Sequence, residues 1–90
     1  MVNLEWYRTF QAIYTCGTLT GAAGALFMSQ PGVSLHLNSL ESYVGYKLFD
    51  RSSRKMAPTE RGMILYNALA APLQQLVEIE AEVNRLLQEQ

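Results

Sequence analysis

The chain has 90 residues, a formal net charge of −1 and a 49% hydrophobic fraction, enough apolar material for one domain's core and no composition break that argues for a second. No apolar run approaches the ~18 residues of a membrane span, and the N-terminus lacks the basic stretch and apolar run of a signal peptide, so a cytoplasmic location is expected. Cys16 is the only cysteine, which excludes an internal disulfide and a multi-cysteine metal site.

Charge is unevenly placed. Five of the seven basic residues, Lys47, Arg51, Arg54, Lys55 and Arg61, fall within fifteen positions, opposed only by Asp50 and Glu60. Glu78, Glu80, Glu82 and Glu89 follow against Arg85 alone. A basic patch therefore precedes an acidic tail, and local potential governs binding to a charged partner more than the total does.

Leu4, Tyr7, Phe10, Ile13 and Tyr14 recur three or four apart and predict a first amphipathic helix, with Gly17 as its left-handed stop. Thr18 can cap a second helix carrying Leu19, Ala22, Ala23 and Leu26, whose alanine pair lets another helix cross closely. Only Phe27 and Met28 separate that helix from Ser29, the cap of a third. Helices two and three thus meet across a tight turn, the pattern of a helix-turn-helix.

The third helix, residues 29–43, takes Pro31 in its first turn, where a missing N–H has no intrahelical partner to lose. Val33, Leu37, Leu40 and Val44 form its buried stripe. Gln30, Ser34, Leu35, Asn38 and Ser39 lie opposite, a face free of charge that suits close approach to hydrogen-bonding edges. A solvated helix has the same pattern.

Gly45 ends this helix. Lys47–Arg51 and Lys55–Pro58 predict the two strands of a small hairpin, with Leu48 or Phe49 turned inward, a turn at Ser52-Ser53 and Pro58 at an edge. Arg51, Arg54 and Lys55 sit at or near its tip. Thr59 then caps a long helix from about Glu60 to Gln88, with apolar positions at Tyr66, Leu69, Leu73, Leu76, Val83 and Leu87. Pro72 should kink it, and Glu80 interrupts its seam. Such a helix spans ~45 Å, farther than the preceding head can cover. Leu69, Leu73, Leu76, Val83 and Leu87 are therefore expected to carry self-association. The predicted fold is mainly α: three helices and a β-hairpin wing over residues 1–58, then a linker and dimerisation helix over 59–90.

No constellation suits catalysis, and no cofactor or metal is expected. His36 is the only histidine, and Ser34, two positions away on a helix, points elsewhere. Glutamates 78, 80 and 82 alternate around a helix, and there is no glycine-rich phosphate loop. Double-stranded DNA is the better-supported partner. The third helix carries Gln30 and small polar residues suited to the major groove, and its N-terminus can meet a phosphate. The basic hairpin can reach the backbone or the minor groove, and a dimer would supply two half-sites. The alternative is a winged-helix module that meets a partner protein through the same helix face.

The residues that carry these signals are Ala22-Ala23, Leu26, Ser29-Gln-Pro-Gly-Val-Ser34, Leu40-Glu41, Gly45, Lys47-Leu-Phe-Asp-Arg51 and Pro58-Thr-Glu-Arg-Gly62. At this spacing the chain resembles the N-terminal DNA-binding domain of LysR-type transcriptional regulators, from about Leu4 to Gly62 and on into the linker helix. The resemblance implies a bacterial, sequence-specific winged helix-turn-helix whose linker helix pairs antiparallel in a homodimer. It implies that Gln30, Pro31, Ser34 and Leu35 meet bases and nearby phosphates in the major groove. Arg54 is then the wing residue of the minor groove, with Arg51 at the wing's base, Lys55 beside it, and Thr18 and Ser29 as caps that touch phosphates. Three positions depart from the family pattern. Leu35 stands where many members have arginine, His36 where many have glutamine, and Ala57-Pro58-Thr59 where Leu-Thr is common. Leu35 cannot hydrogen-bond a base, but it can pack on a thymine methyl. The family's regulators are longer and carry a two-lobed effector domain that is absent from this chain, so DNA binding without an effector response is expected.

Overall fold

The computed structural model describes residues 3–52 and 54–89. Its elements run α1 (Leu4–Cys16), α2 (Leu19–Leu26), α3 (Gln30–Val44), β1 (Phe49–Asp50), β2 (Ala57–Pro58) and α4 (Glu60–Gln88). This is the predicted winged helix-turn-helix followed by a long helix. Ser53, half of the predicted turn, lies outside the described residues. Among the described residues no helix is long and apolar enough to cross a membrane.

Three helices start on a hydroxyl that accepts from an amide of the first turn. Thr18 Oγ1 accepts from Gly21 N at 2.9 Å, Ser29 Oγ from Gly32 N at 3.1 Å and Thr59 Oγ1 from Gly62 N at 3.1 Å. Each satisfies an amide that the helix itself cannot. Asn3, which the pattern did not reveal, does the same for α1 through Glu5 N at 2.8 Å. Gly45 ends α3 at φ +84°, a conformation glycine adopts without steric cost. The turn after α2 needs the same left-handed geometry but places Phe27 there, at φ +54° and 96% exposed.

The core gathers Phe10 and Ile13 from α1, Ala22 and Ala23 from α2, and Val33, Leu37 and Leu40 from α3. Leu48 and Phe49 are both buried, where the alternation of one strand allowed only one of them inward. They can be, because the strands are shorter than predicted: Phe49 pairs with Pro58 and Asp50 with Ala57, and the ladder stops there. The neighbouring backbone groups have other partners. Leu48 N donates to the Glu41 carboxylate at 2.8 Å, and Leu48 O accepts from Thr59 N at 3.0 Å. Lys47 O accepts from Thr59 Oγ1 at 2.7 Å, and Met56 N donates to Gly17 O at 2.8 Å. Beyond its short ladder the hairpin is thus tied to α3, to the cap of α4 and to the α1–α2 turn.

Helix α4 is 29 residues long, roughly 43 Å, and accounts for most of the molecule's 52 Å length. Its first half belongs to the head. Tyr66 stacks on Tyr14 with ring centroids 3.9 Å apart and planes 10° apart. Leu65 and Leu69 pack on the core cluster, and Leu73 is 6% exposed. Leu69 and Leu73, expected in a dimer seam, are therefore engaged within their own chain. Glu80 also faces the head, 3.7 Å from Arg8 of α1. Beside the seam that Glu80 was expected to interrupt lies a second, outward stripe. That stripe runs through Leu76, Ile79, Val83 and Leu86, all exposed, at spacings of three and four and roughly a quarter-turn from the Leu73 face. The helix continues through Pro72. Both Pro72 and Ala68, whose carbonyl it leaves without a donor, are exposed.

Where α4 enters the head it approaches the wing backbone so closely that a side chain cannot fit. A Cβ at Gly62 would stand 2.1 Å from the Leu48 carbonyl oxygen, and that oxygen is fixed by Thr59 N. Gly62→Ala is expected to destabilise the fold by about 1–3 kcal/mol, as overpacking against backbone does. Urea unfolding would measure it, and a midpoint equal to wild type would contradict this account of the α4–wing junction.

Candidate nucleic-acid interface

The N-terminal half of α3 lies open. Ser29, Gln30 and Pro31 are exposed, Ser34 is half-buried, and Leu35 is exposed on the side away from the buried stripe. Among the described residues this outward face presents no free carboxylate, since the single acidic residue of α3, Glu41, is 6% exposed. At the N-terminus of α3, Gly32 N is taken by the Ser29 hydroxyl, Val33 N by Ser29 O, and Pro31 carries no N–H, which leaves the Gln30 amide without an intrahelical acceptor at the positive end of the helix dipole. Thr18 gives α2 a similar start.

His36 does not belong to this face. Its Nδ1 lies 2.8 Å from Thr9 Oγ1, a buried residue of α1, so the ring fastens α3 to α1. Trp6 and Tyr43 make a second link between these helices, edge to face with centroids 6.3 Å apart. The orientation of the outward face is thus fixed from behind.

The predicted basic residues divide into two kinds. Arg51 turns inward: its Nη2 donates to Glu41 Oε1 at 3.1 Å and Asn38 Oδ1 at 3.0 Å. This also occupies Asn38, which the sequence pattern had placed on the open face. Lys47 Nζ approaches the same Glu41 oxygen at 3.8 Å. Arg54 and Lys55 are exposed on the wing, and Arg54 takes part in no ion pair among the described residues. Asp50 accepts the Ser52 N–H at 2.9 Å, and this bond together with the Ser52 hydroxyl holds its carboxyl below the ordinary value. Such a bond closes a short turn at the end of β1. Arg61 lies over the Tyr46 ring, 4.1 Å from its centroid, a cation–π contact at the start of α4.

Glu41 is the residue that pattern reading underweighted. It lies one turn after Leu37 on the buried stripe, with Lys47 and Arg51 downstream. A carboxylate on an apolar stripe, followed by a basic run, was the available signal for a buried ion pair.

Residues 4–63 match the family described as bacterial regulatory helix-turn-helix protein, lysR family. In sequence the chain is similar to the HTH-type transcriptional regulator DgcR of Pseudoalteromonas sp, 40% identical over 79 residues, covering 88% of this chain and 27% of that protein. It is likewise similar to the transcriptional activator protein LysR of Escherichia coli (strain K12), 43% identical over 65 residues, 72% of this chain and 21% of that one. In structure it is similar to the BenM DBD in its complex with benA site 1 DNA, at TM-score 0.84 and 27% identity over 94% of this chain and 99% of that one. The Corynebacterium glutamicum OxyR C206 mutant superposes at TM-score 0.86 and 32% identity, over 91% of this chain and 26% of its own. The chain spans about a quarter of the length of the curated relatives it matches. With 60 of its 90 residues inside the family match, and with the fold of solved relatives over nine-tenths of its length, the chain belongs to the LysR family of bacterial regulatory helix-turn-helix proteins.

Proposed function

We propose that this chain is the DNA-reading part of a bacterial transcriptional regulator, binding double-stranded DNA in a sequence-specific manner. The observation that carries this reading is the open, charge-free face of α3, in a head that also carries two capped helix N-termini and the exposed Arg54 of the wing. Such an arrangement separates the two tasks of DNA recognition. The helix N-termini and basic wing suit phosphates, which hold the protein in register, while the uncharged helix face suits base edges, which carry sequence. Gln30 can donate to and accept from an adenine edge in the major groove. In this reading the capping residues Ser29 and Thr18 meet the phosphate backbone, Pro31 and Ser34 lie on the base-facing half of α3, and Arg54 suits a narrow minor groove. Arg51 acts at one remove, holding the wing against α3 through Glu41 and Asn38. A reader of bacterial chromosomal DNA works in the cytoplasm.

The protein acts as a homodimer in this reading, supported by the outward stripe of Leu76, Ile79, Val83 and Leu86 on α4, with Leu87 beside it. The head together with α4 as far as Leu73 forms the reading unit, and the remainder of α4 forms the association element. Two heads related by a two-fold axis would read two half-sites.

Gln30→Ala is expected to cost ~1–3 kcal/mol at a selected site and far less on random duplex, as a lost base contact does. Equal losses on both would remove Gln30 from base reading. Arg54→Ala is expected to weaken every duplex and to reduce the dependence of log affinity on log salt by about one. An unchanged slope would remove Arg54 from the DNA, and no binding to any duplex at low salt would leave the protein-interaction alternative. Ile79→Glu combined with Val83→Glu is expected to give a monomer in sedimentation where the wild type is a dimer. A monomeric wild type at every concentration would refute the association role of α4.

A further inference from the structure

The outward face of α3 carries a feature that hydrogen bonding does not use. Leu35 is two residues from both Val33 and Leu37, which are fully buried, so at ~100° per residue it points away from the core. It is 64% exposed. Pro31, also exposed, lies one turn before it, and side chains at this spacing are neighbours on a helix surface. The two form a short apolar ridge flanked by Gln30 and Ser34, while Asn38 beyond it is drawn to Arg51.

Leucine offers a base edge neither donor nor acceptor. Against a G·C pair it would strip water from the guanine acceptors or the cytosine amine and supply nothing in return. Against an A·T pair it meets the thymine methyl, the one apolar group that a base presents in the major groove. The N-terminus of α3, whose first turn holds Pro31, puts the positive end of a helix dipole beside the ridge, which suits duplex DNA and not an apolar peptide.

We infer that Leu35 is a specificity-determining residue that, with Pro31, seats the 5-methyl group of a thymine in the site α3 reads. This rests on the DNA-reading role proposed above. Duplexes selected by this chain from a random pool provide the probe. Each thymine is then replaced singly by deoxyuridine, which pairs in the same way and lacks the methyl. At one position per bound head the wild type is expected to bind about fourfold more weakly, the effect of one methyl group no longer buried. Leu35→Ala, which removes no core contact, is expected to abolish that difference at that position alone. If no deoxyuridine lowers affinity, or if the loss persists in Leu35→Ala, the inference is overturned while the selected duplex sustains the DNA-reading role. Failure to select any duplex at low salt overturns both.

Discussion

A buried carboxylate joins the two halves of this recognition surface. Glu41 sits on the core stripe of α3, where an ionised group left alone would cost several kcal/mol. It is not alone: one oxygen accepts the Leu48 amide, and the other meets Arg51 and Lys47. Among the described residues no buried side-chain polar atom lacks a partner. The contribution of such a pair lies less in net stability than in geometry, because only one position of the wing satisfies all of these groups at once. The chain leaves α3, turns at Gly45, and is caught by Glu41 at the point where the hairpin begins.

From that constraint the rest follows. The strands are two residues long because Lys47, Leu48 and Met56 give their backbone hydrogen bonds to Thr59, Glu41 and Gly17. Thr59 caps α4 while holding the wing, so α4 leaves the head in a fixed direction, and Gly62 permits the contact to be that close. One face of α4 then covers the head through Tyr66, Leu69 and Leu73, and another is left exposed beyond it. Arg51, taken up by Glu41, stiffens the wing. Arg54 is the wing arginine that takes part in no ion pair among the described residues.

Local chemistry was legible in the sequence. Thr18, Ser29 and Thr59 were readable as caps, and Gly17 and Gly45 as stops, because each acts on residues within a few positions of itself. The stripe of α3 was readable for the same reason, as were the tight turn and the extent of α4. What could not be read depends on partners far apart in the chain. Arg51 looked like a surface cation because its acceptors lie a helix away. The pairing of Glu80 with Arg8 was not readable, because the two lie at opposite ends of the chain. Leu48 and Phe49 could both be buried only because the ladder ends between them. Phe27 ran against local preference, since a left-handed turn residue is more readily asparagine or glycine. The open face of α3 was legible as a pattern, and the structure adds that His36 turns to Thr9 and that the Asn38 side-chain oxygen, still exposed, accepts from Arg51.

The central claim is that Glu41 serves recognition by placing the wing, and a double-mutant cycle on duplex affinity tests it most directly. Arg54→Ala is measured in the wild type and in Glu41→Gln, with circular dichroism confirming that both backgrounds are folded. The account predicts a clear loss in the wild type and little loss in the Glu41→Gln background, where the wing no longer holds Arg54 to the DNA. Equal losses in the two backgrounds would contradict it.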